Sequence, residues 1–406
     1  MRALLREATL AAGLAIAMAA SGANAQISGN VVKIGVLTDL SGVYKDLGGP
    51  GSVYAAQMAV ADAGGRVLGA PIEVVQGDPL NKPDVASGIV RKWIDAEDVD
   101  VVADVPTSGI ALAVQEIVRD KKRIFLMAGP ASSDLSGKNC SPYGFQWVYN
   151  TYTLAHGTGS AAVRQGADTW FFLTADYAFG KALERDTAKA VVDAGGKVLG
   201  SIAHPLGAQD FSSFLLQAQA SKAKIIGLAN AGGDTINAIK QASEYGIVSG
   251  GQKLAGLLVL LNDVQALGLQ AAQGLTITDA WYWDMNDESR AFAKRYADKM
   301  GRPPNFVQAG VYSAVAHYLK AVKAAGTDDA DKVQAKMREI PVDDFMGHGK
   351  QVRADGRVAR DFLLAQVKKP SESKSTWDLY NILAIIPAQD ALEPLADSAC
   401  PLVKKN

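Results

Sequence analysis

Cysteine occurs twice in the 406 residues and histidine four times. Neither Cys140 nor Cys400 sits in a recognisable acid–base setting, which argues against a thiol nucleophile. The histidines, His156, His204, His317 and His348, are widely spread, and none has a partner at metal-ligand spacing. They read as surface or internally satisfied groups, and no metal is expected. Charge of one sign is also missing, since 41 basic side chains face 42 acidic ones. A nucleic-acid partner would call for a basic face, so none is expected. After the first 25 residues no apolar run is long enough to span a bilayer. Hydrolase and nucleotide-binding signatures are absent too. No G-x-S-x-G elbow occurs, and Gly180-Lys181 continues with Ala182 rather than Ser or Thr. Gly49-x-Gly51 lacks the third glycine of a dinucleotide fingerprint, because Tyr54 stands there. No cofactor is expected.

What is present begins with a targeting segment. Arg2 and Arg6 form a short positive region, and Leu10 to Ala20 an apolar core. Ala23-Asn24-Ala25 has the small-x-small pattern of a signal-peptidase site. Cleavage after Ala25 is expected, giving an exported chain that begins at Gln26. A membrane anchor or a buried first helix is the alternative. In an oxidising compartment two cysteines most simply form one bond, which would tie the tail back to mid-chain. Two separate thiols are the other possibility.

The chain then alternates strands and helices. Val31 to Leu40 reads as a buried strand, followed by a glycine-rich step, Gly48 to Gly51, and a helix stopped at Gly64-Gly65. Strands are expected at Pro71–Val75, Val99–Val105 and Ile124–Ala128, with helices at Pro83–Glu97 and Ile110–Asp120. A second series follows from Asn150. It has a helix at Thr151–Gln165, a strand at Thr169–Thr174 and a helix at Gly180–Ala194. A strand at Val198–Ala203, a helix at Asp210–Ala220 and a strand at Ile225–Leu228 come next, and a helix at Thr235–Tyr245 closes that part of the series. Leu257–Leu261 and Leu275–Thr278 read as further strands. Three amphipathic helices, Glu288–Met300, Gln308–Ala325 and Asp329–Glu339, precede a strand at Phe362–Val367. Alternation of this kind predicts parallel sheets. The echo of GGRVLG at 64–69 in GGKVLG at 195–200 suggests two lobes with the same wiring.

Polar turns fall at the expected carboxyl ends of the strands. They are Thr107-Ser108, Ala131-Ser132-Ser133, Asp176-Tyr177 and Asn230 to Asp234. Each turn alone reads as a helix N-cap. Converging from two lobes, they would bind a carboxylate through hydroxyls and helix N-terminal amides. Tyr44, Tyr177, Phe179 and the run Trp281-Tyr282-Trp283 lie close to these turns and could wall a ligand or form core.

These segments together resemble the periplasmic substrate-binding proteins of ABC importers, in the leucine/isoleucine/valine-binding family. The resemblance rests on VKIGVLTDLSG, the helix ending AVADAGG, VPTSGIALAV, PASSDL, TADYAFGKAL, DFSSFLLQAQASKAKIIGLANAGGD and PNFVQAGVYSAVAHYLKAV, in that order. It implies a type I periplasmic-binding fold, with two Rossmann-like α/β lobes of parallel sheets joined by three hinge crossovers. Residues 31–149 and 280–345 would form one lobe, 150–279 and 346–390 the other, and 391–406 a tail. It also implies a periplasmic receptor that captures a small organic solute and hands it to a membrane permease. The ligand set carried over is Ser108, Ala131, Ser133 (with Ser132 one place away), Tyr177 or Phe179 from the turn Asp176 to Gly180, and Asn230. Tyr44 and Trp281 join that set from the aromatics. A ligand sensor of the same fold and an NAD-dependent oxidoreductase are the other readings. One departure bears on the solute. The family holds an α-ammonium group with an acidic residue in the second lobe, where this chain has Leu257 to Leu261 and only then Asn262-Asp263. Unless Asp263 or Asp234 reaches the cleft, an aromatic or aliphatic carboxylate fits at least as well as an amino acid.

Overall fold

The computed structural model describes residues 27–164 and 166–405, so the expected signal segment lies outside the described residues. The first sheet is built from β1 (Val32–Leu37), β2 (Arg66–Val67), β3 (Ala70–Gly77), β4 (Val101–Asp104), β5 (Ile124–Met127) and β6 (Gly144–Gln146). Its strand order is β2-β3-β1-β4-β5-β6, and every pair is parallel except the β2–β3 hairpin. The strands alternate with α1 (Gly49–Asp62), α2 (Pro83–Ala96) and α3 (Ser108–Asp120). Proline at the start of α1 and of α2 fits there because the first helical N–H groups have no partner within the helix.

The second series opens with α4 (Thr151–Leu154), passes through a π-turn at Ala155–Gly159, and continues as α5 (Ser160–Arg164). The expected helix there is thus interrupted. Then come β7 (Thr169–Ala175), α6 (Ala178–Asp193), β8 (Lys197–His204), α7 (Ser212–Ala220), β9 (Ile225–Ala229), α8 (Gly233–Glu244) and β10 (Lys253–Gly256). These four strands form a parallel sheet in the order β10-β9-β7-β8.

Two expectations are corrected here. Leu257–Leu261 is not a strand. Lys253–Gly256 is, and α9 (Leu261–Leu267) starts at Leu261, followed by α10 (Leu269–Ala272). A short buried apolar run has no periodicity to separate the two cases. The sheets are also not all parallel. β11 (Thr276–Asp279) joins two later strands in a third, antiparallel sheet.

The chain returns to the first sheet after β11. Helices α11 (Asp287–Met300) and α12 (Phe306–Ala325) pack on α1, and α12 also packs on β4 and β5; α13 (Ala330–Glu339) packs on α12. Asn286, Asn305 and Asp329 cap their N-termini, and left-handed Gly301 and Gly326 end the first two. A hairpin of β12 (Val342–Asp344) and β13 (Gly347–Lys350) leads back to β14 (Phe362–Val367) and β15 (Tyr380–Ile386), which complete the third sheet before the short α14 (Ala388–Ala391). The chain therefore crosses between its halves three times, after β6, after β11 and after β13. One apolar cluster runs through the first crossing, from Val36 and Phe145 through Trp147 and Leu154 to Trp170 and Phe172.

Among the described residues no helix is long and apolar enough to cross a membrane. Cys140 and Cys400 are disulfide-bonded across 260 residues, pinning the tail beside the first sheet. A crosslink of that span restricts the unfolded chain strongly. Replacing Cys400 by Ser should lower the unfolding free energy by about 2–4 kcal/mol. Guanidinium denaturation of the two proteins checks this, and equal midpoints would contradict it.

Candidate functional site

Both parallel sheets end their strands at one seam, where loops of the two halves meet. On the first side, Asp39 follows β1. Its carboxylate accepts N–H groups of Ser41 (3.3 Å) and Tyr44 (2.9 Å) and the Asn81 amide (2.8 Å). This folds the loop that presents Tyr44, which is buried. Thr38 Oγ1 donates to Asp104 Oδ2 and accepts from Gly49 N–H, both at 2.8 Å.

Asp104 ends β4 in an unusual way. Asp104 and Val105 both have left-handed backbone, with φ of 74° and 60°. A β-branched residue there stores strain, which tight surroundings must hold in place. The carboxylate fills a slot floored by glycine. A Cβ at Gly48 or Gly129 would lie 2.5 or 2.6 Å from its oxygens. Burial pushes its pKa from an ordinary 3.8 up to about 6, against the nearby Ser52 and Thr38 hydroxyls and the Gly129 main chain. The strained turn delivers Ser108 to the start of α3. Ser108 is fully buried, and its Oγ accepts the N–H groups of Ala131 (3.2 Å) and Ser132 (3.1 Å). Tyr149, one residue before the first crossing's cap Asn150, donates to Gly129 O at 2.8 Å.

The second half contributes Tyr177, just before α6. Its hydroxyl meets the Tyr44 hydroxyl directly across the seam. Burial raises both phenol pKa values, so both keep their protons. The loops also touch at Val43 and Gly232-Gly233. Gly233 N–H reaches Val43 O at 3.4 Å, and a Cβ on Gly232 would lie 2.7 Å from the same oxygen. Asn305 donates to Asn262 at 2.9 Å elsewhere on the seam.

The structure joins Ser108, at the start of α3, to the Ala131-Ser132 turn after β5 and sets Tyr44 against Tyr177. It turns the other candidates elsewhere. Ser133 Oγ donates to Asp186 on α6 (2.7 Å) and accepts from Arg185 (2.7 Å), while Thr151 donates to the same Asp186 oxygen at 2.5 Å. Asn230 is committed to His204 Nε2 (3.0 Å) and Thr235 (2.6 Å). His204 faces Pro205 O through Nδ1 and burial lowers its pKa, so the ring is neutral and its Nε2 accepts from Asn230. Trp281 donates to Ser289 at 2.9 Å and packs edge-on against Phe292 and Phe345. The acidic groups are occupied as well. Asp263 accepts Leu260 N–H (2.9 Å) and the Asn262 amide (3.0 Å), and Asp234 accepts Gly207 N–H at 3.1 Å.

Sequence reasoning missed Asp104, Tyr149 and Asp186. Only Asp104 carried a signal, as the acid in an otherwise apolar strand. Among the described residues no group of three His, Cys, Asp or Glu side chains could hold a metal ion.

Facing carboxyl ends of two parallel sheets, bridged by three crossings, define a bilobal solute-binding fold of type I. A sequence profile described as periplasmic binding protein matches residues 31–374, and the chain belongs to that family. A solved periplasmic binding protein of Burkholderia mallei is 50% identical, with a TM-score of 0.91 over 92% of this chain and 100% of that one. A branched chain amino acid ABC transporter periplasmic ligand-binding protein of Burkholderia xenovorans is 41% identical, with a TM-score of 0.81 over the same shares. The Leu/Ile/Val-binding protein homolog 6 of Brucella melitensis is 26% identical over 339 residues, 82% of this chain and 85% of that protein.

The raised pKa of Asp104 has a definite sign. A folded value above the unfolded one means the folded state holds the proton more tightly. The contribution is fully present below about pH 4 and is lost as pH rises to about 6. Asp104→Asn keeps the shape without the ionisation. The wild type should lose on the order of 3 kcal/mol relative to this variant between pH 4 and 7. Urea unfolding of both proteins across that range checks it, and parallel curves would contradict it.

Proposed function

We propose that the protein is the periplasmic solute-binding receptor of an ABC importer, and that it closes two lobes over a small organic carboxylate lacking an α-ammonium group. The lobes are residues 31–149 with 280–345 and 150–279 with 346–390. The observation that carries the reading is a surplus of hydrogen-bond donors at the seam. Ser108 Oγ already accepts two N–H groups, and no described residue accepts its proton. The two phenols share one contact, so one of their protons has no acceptor there. A solute offering lone pairs satisfies both, and a carboxylate offers the strongest acceptors. For an ammonium group, Asp263 and Asp234 are already held by main-chain N–H groups. The one buried carboxylate oxygen without a partner among the described residues, Asp104 Oδ1, is fully buried beneath Gly129. In this reading Ser108, the Ala131-Ser132 turn, Tyr44 and Tyr177 hold the solute. Ser133 and Asn230 brace the seam from either side, and Trp281 braces the second crossing.

The relatives' descriptions agree with the class. The 41% identical protein is described as a ligand-binding component of an ABC transporter for branched-chain amino acids. That solute class is the competing one, and the same experiment separates the two. Mass spectrometry of whatever acid denaturation releases from the purified protein should find an organic acid without an α-amino group. Stoichiometric recovery of a free amino acid would overturn the assignment. With the recovered acid as titrant, Ser108→Ala and Tyr177→Phe should each weaken binding by about tenfold, as expected for one lost hydrogen bond to a charged group. Unchanged affinity in both would remove these residues from the site.

A further inference from the structure

The segment Arg353 to Arg360, on the third crossing, places three guanidinium groups in the interior beside a fourth on α13. Arg357 and Arg360 are 3% and 1% exposed, and Arg353 and Arg338 are partly buried. Two close approaches fix the cluster. A Cβ at Gly356 would lie 2.3 Å from Gly144 O, and Arg338 sits 4.5 Å above the Phe145 ring. Buried cations are normally paired, because leaving one without a counter-charge costs several kcal/mol.

Here the pairing is incomplete. Arg353 takes Asp355 at 2.7 Å and the Glu393 main-chain oxygen at 2.8 Å. Arg357 reaches only the Thr153 hydroxyl, at 3.3 Å. The Arg360 guanidinium makes no hydrogen bond among the described residues. The nearest acid to it in electrostatic terms is Asp344, which is committed to the Ser313 hydroxyl and to Met346 N–H. The other acid close by, Glu393, is half-buried and lends only its main-chain oxygen. Five buried guanidinium nitrogens are left without an acceptor: Nη2 of Arg338, Nε of Arg353, Nε of Arg357, and Nε and Nη2 of Arg360. The surplus is of positive charge and of N–H donors, and it sits where the first crossing, the third crossing and the pinned tail meet.

We infer that this cluster is a binding site for a small monovalent inorganic anion, a halide, separate from the seam and its solute. A monatomic anion accepts N–H groups from several directions at once, which suits donors that come from different side chains. Bound there, it supplies the missing counter-charge and joins the hinge crossings to the tail.

Two measurements on the mature full-length chain test this. The first is thermal melting in sodium chloride against sodium methanesulfonate, a bulkier anion that is not a carboxylate, mixed at constant ionic strength. Chloride should raise Tm by a few degrees in a saturable way, as mass action requires of a ligand of the folded state. Arg360→Met should abolish that response. The second uses crystals of the wild-type chain soaked in sodium bromide, so it does not depend on the variant folding. An anomalous difference peak should lie within hydrogen-bonding reach of Arg357 and Arg360. Equal melting in chloride and methanesulfonate, a response that survives in Arg360→Met, or a bromide map with no peak at these arginines would each overturn the inference.

Discussion

A parallel sheet covered by helices on both faces leaves one polar rim, the carboxyl ends of its strands. Everything functional here depends on two such rims facing each other. The contacts between them are sparse and polar. Tyr44 meets Tyr177, Val43 meets Gly233, Asn305 meets Asn262, and Ser133 meets Asp186. Each rests on one or two hydrogen bonds, with the exposed Arg185–Asp134 ion pair beside the last, and a typical hydrogen bond is worth on the order of 1 kcal/mol net. The hinge differs, because its apolar packing continues from the first sheet through Trp147 into the second. A seam that opens at small cost beside a hinge that stays packed is the energetic profile of lobe closure.

The chemistry of the seam follows from the same economy of charge. Among the described residues no basic side chain hydrogen-bonds to Ser108, Ala131, Ser132, Tyr44 or Tyr177. Acceptance and donation fall to hydroxyls and main-chain amides, positioned by a buried carboxylate. Asp104 earns its place by geometry. Its left-handed backbone and its bond to Thr38 tie the Tyr44 loop to the turn that holds Ser108.

Much of this was legible in the sequence. The alternation of strands and helices, the two matched halves and the polar turns at strand ends all follow from local patterns of apolar spacing and glycine. What was not legible depends on distant pairing. The third sheet joins Thr276–Asp279 to Phe362–Val367 and Tyr380–Ile386, and no local pattern says that these segments meet. The run Leu257–Leu261 misled because five buried aliphatics fit a strand or a loop entering a helix equally well. Individual site residues were harder still. Ser133, Asn230 and Trp281 had the right residue type in the right turn, but the direction of each side chain was set by Asp186, His204 and Ser289, which lie far off in sequence or on another element. The tie between Cys140 and Cys400 needed only the count of cysteines and the expectation of an oxidising compartment.

The central claim is that the two lobes close on a bound solute. Small-angle X-ray scattering, on protein stripped of solute by unfolding and refolding and then resupplied with the molecule it had carried, tests it most directly. A radius of gyration that falls on resupply, to the value calculated for the structure described here, is the predicted result. An unchanged radius, already at that value in the stripped protein, would contradict it.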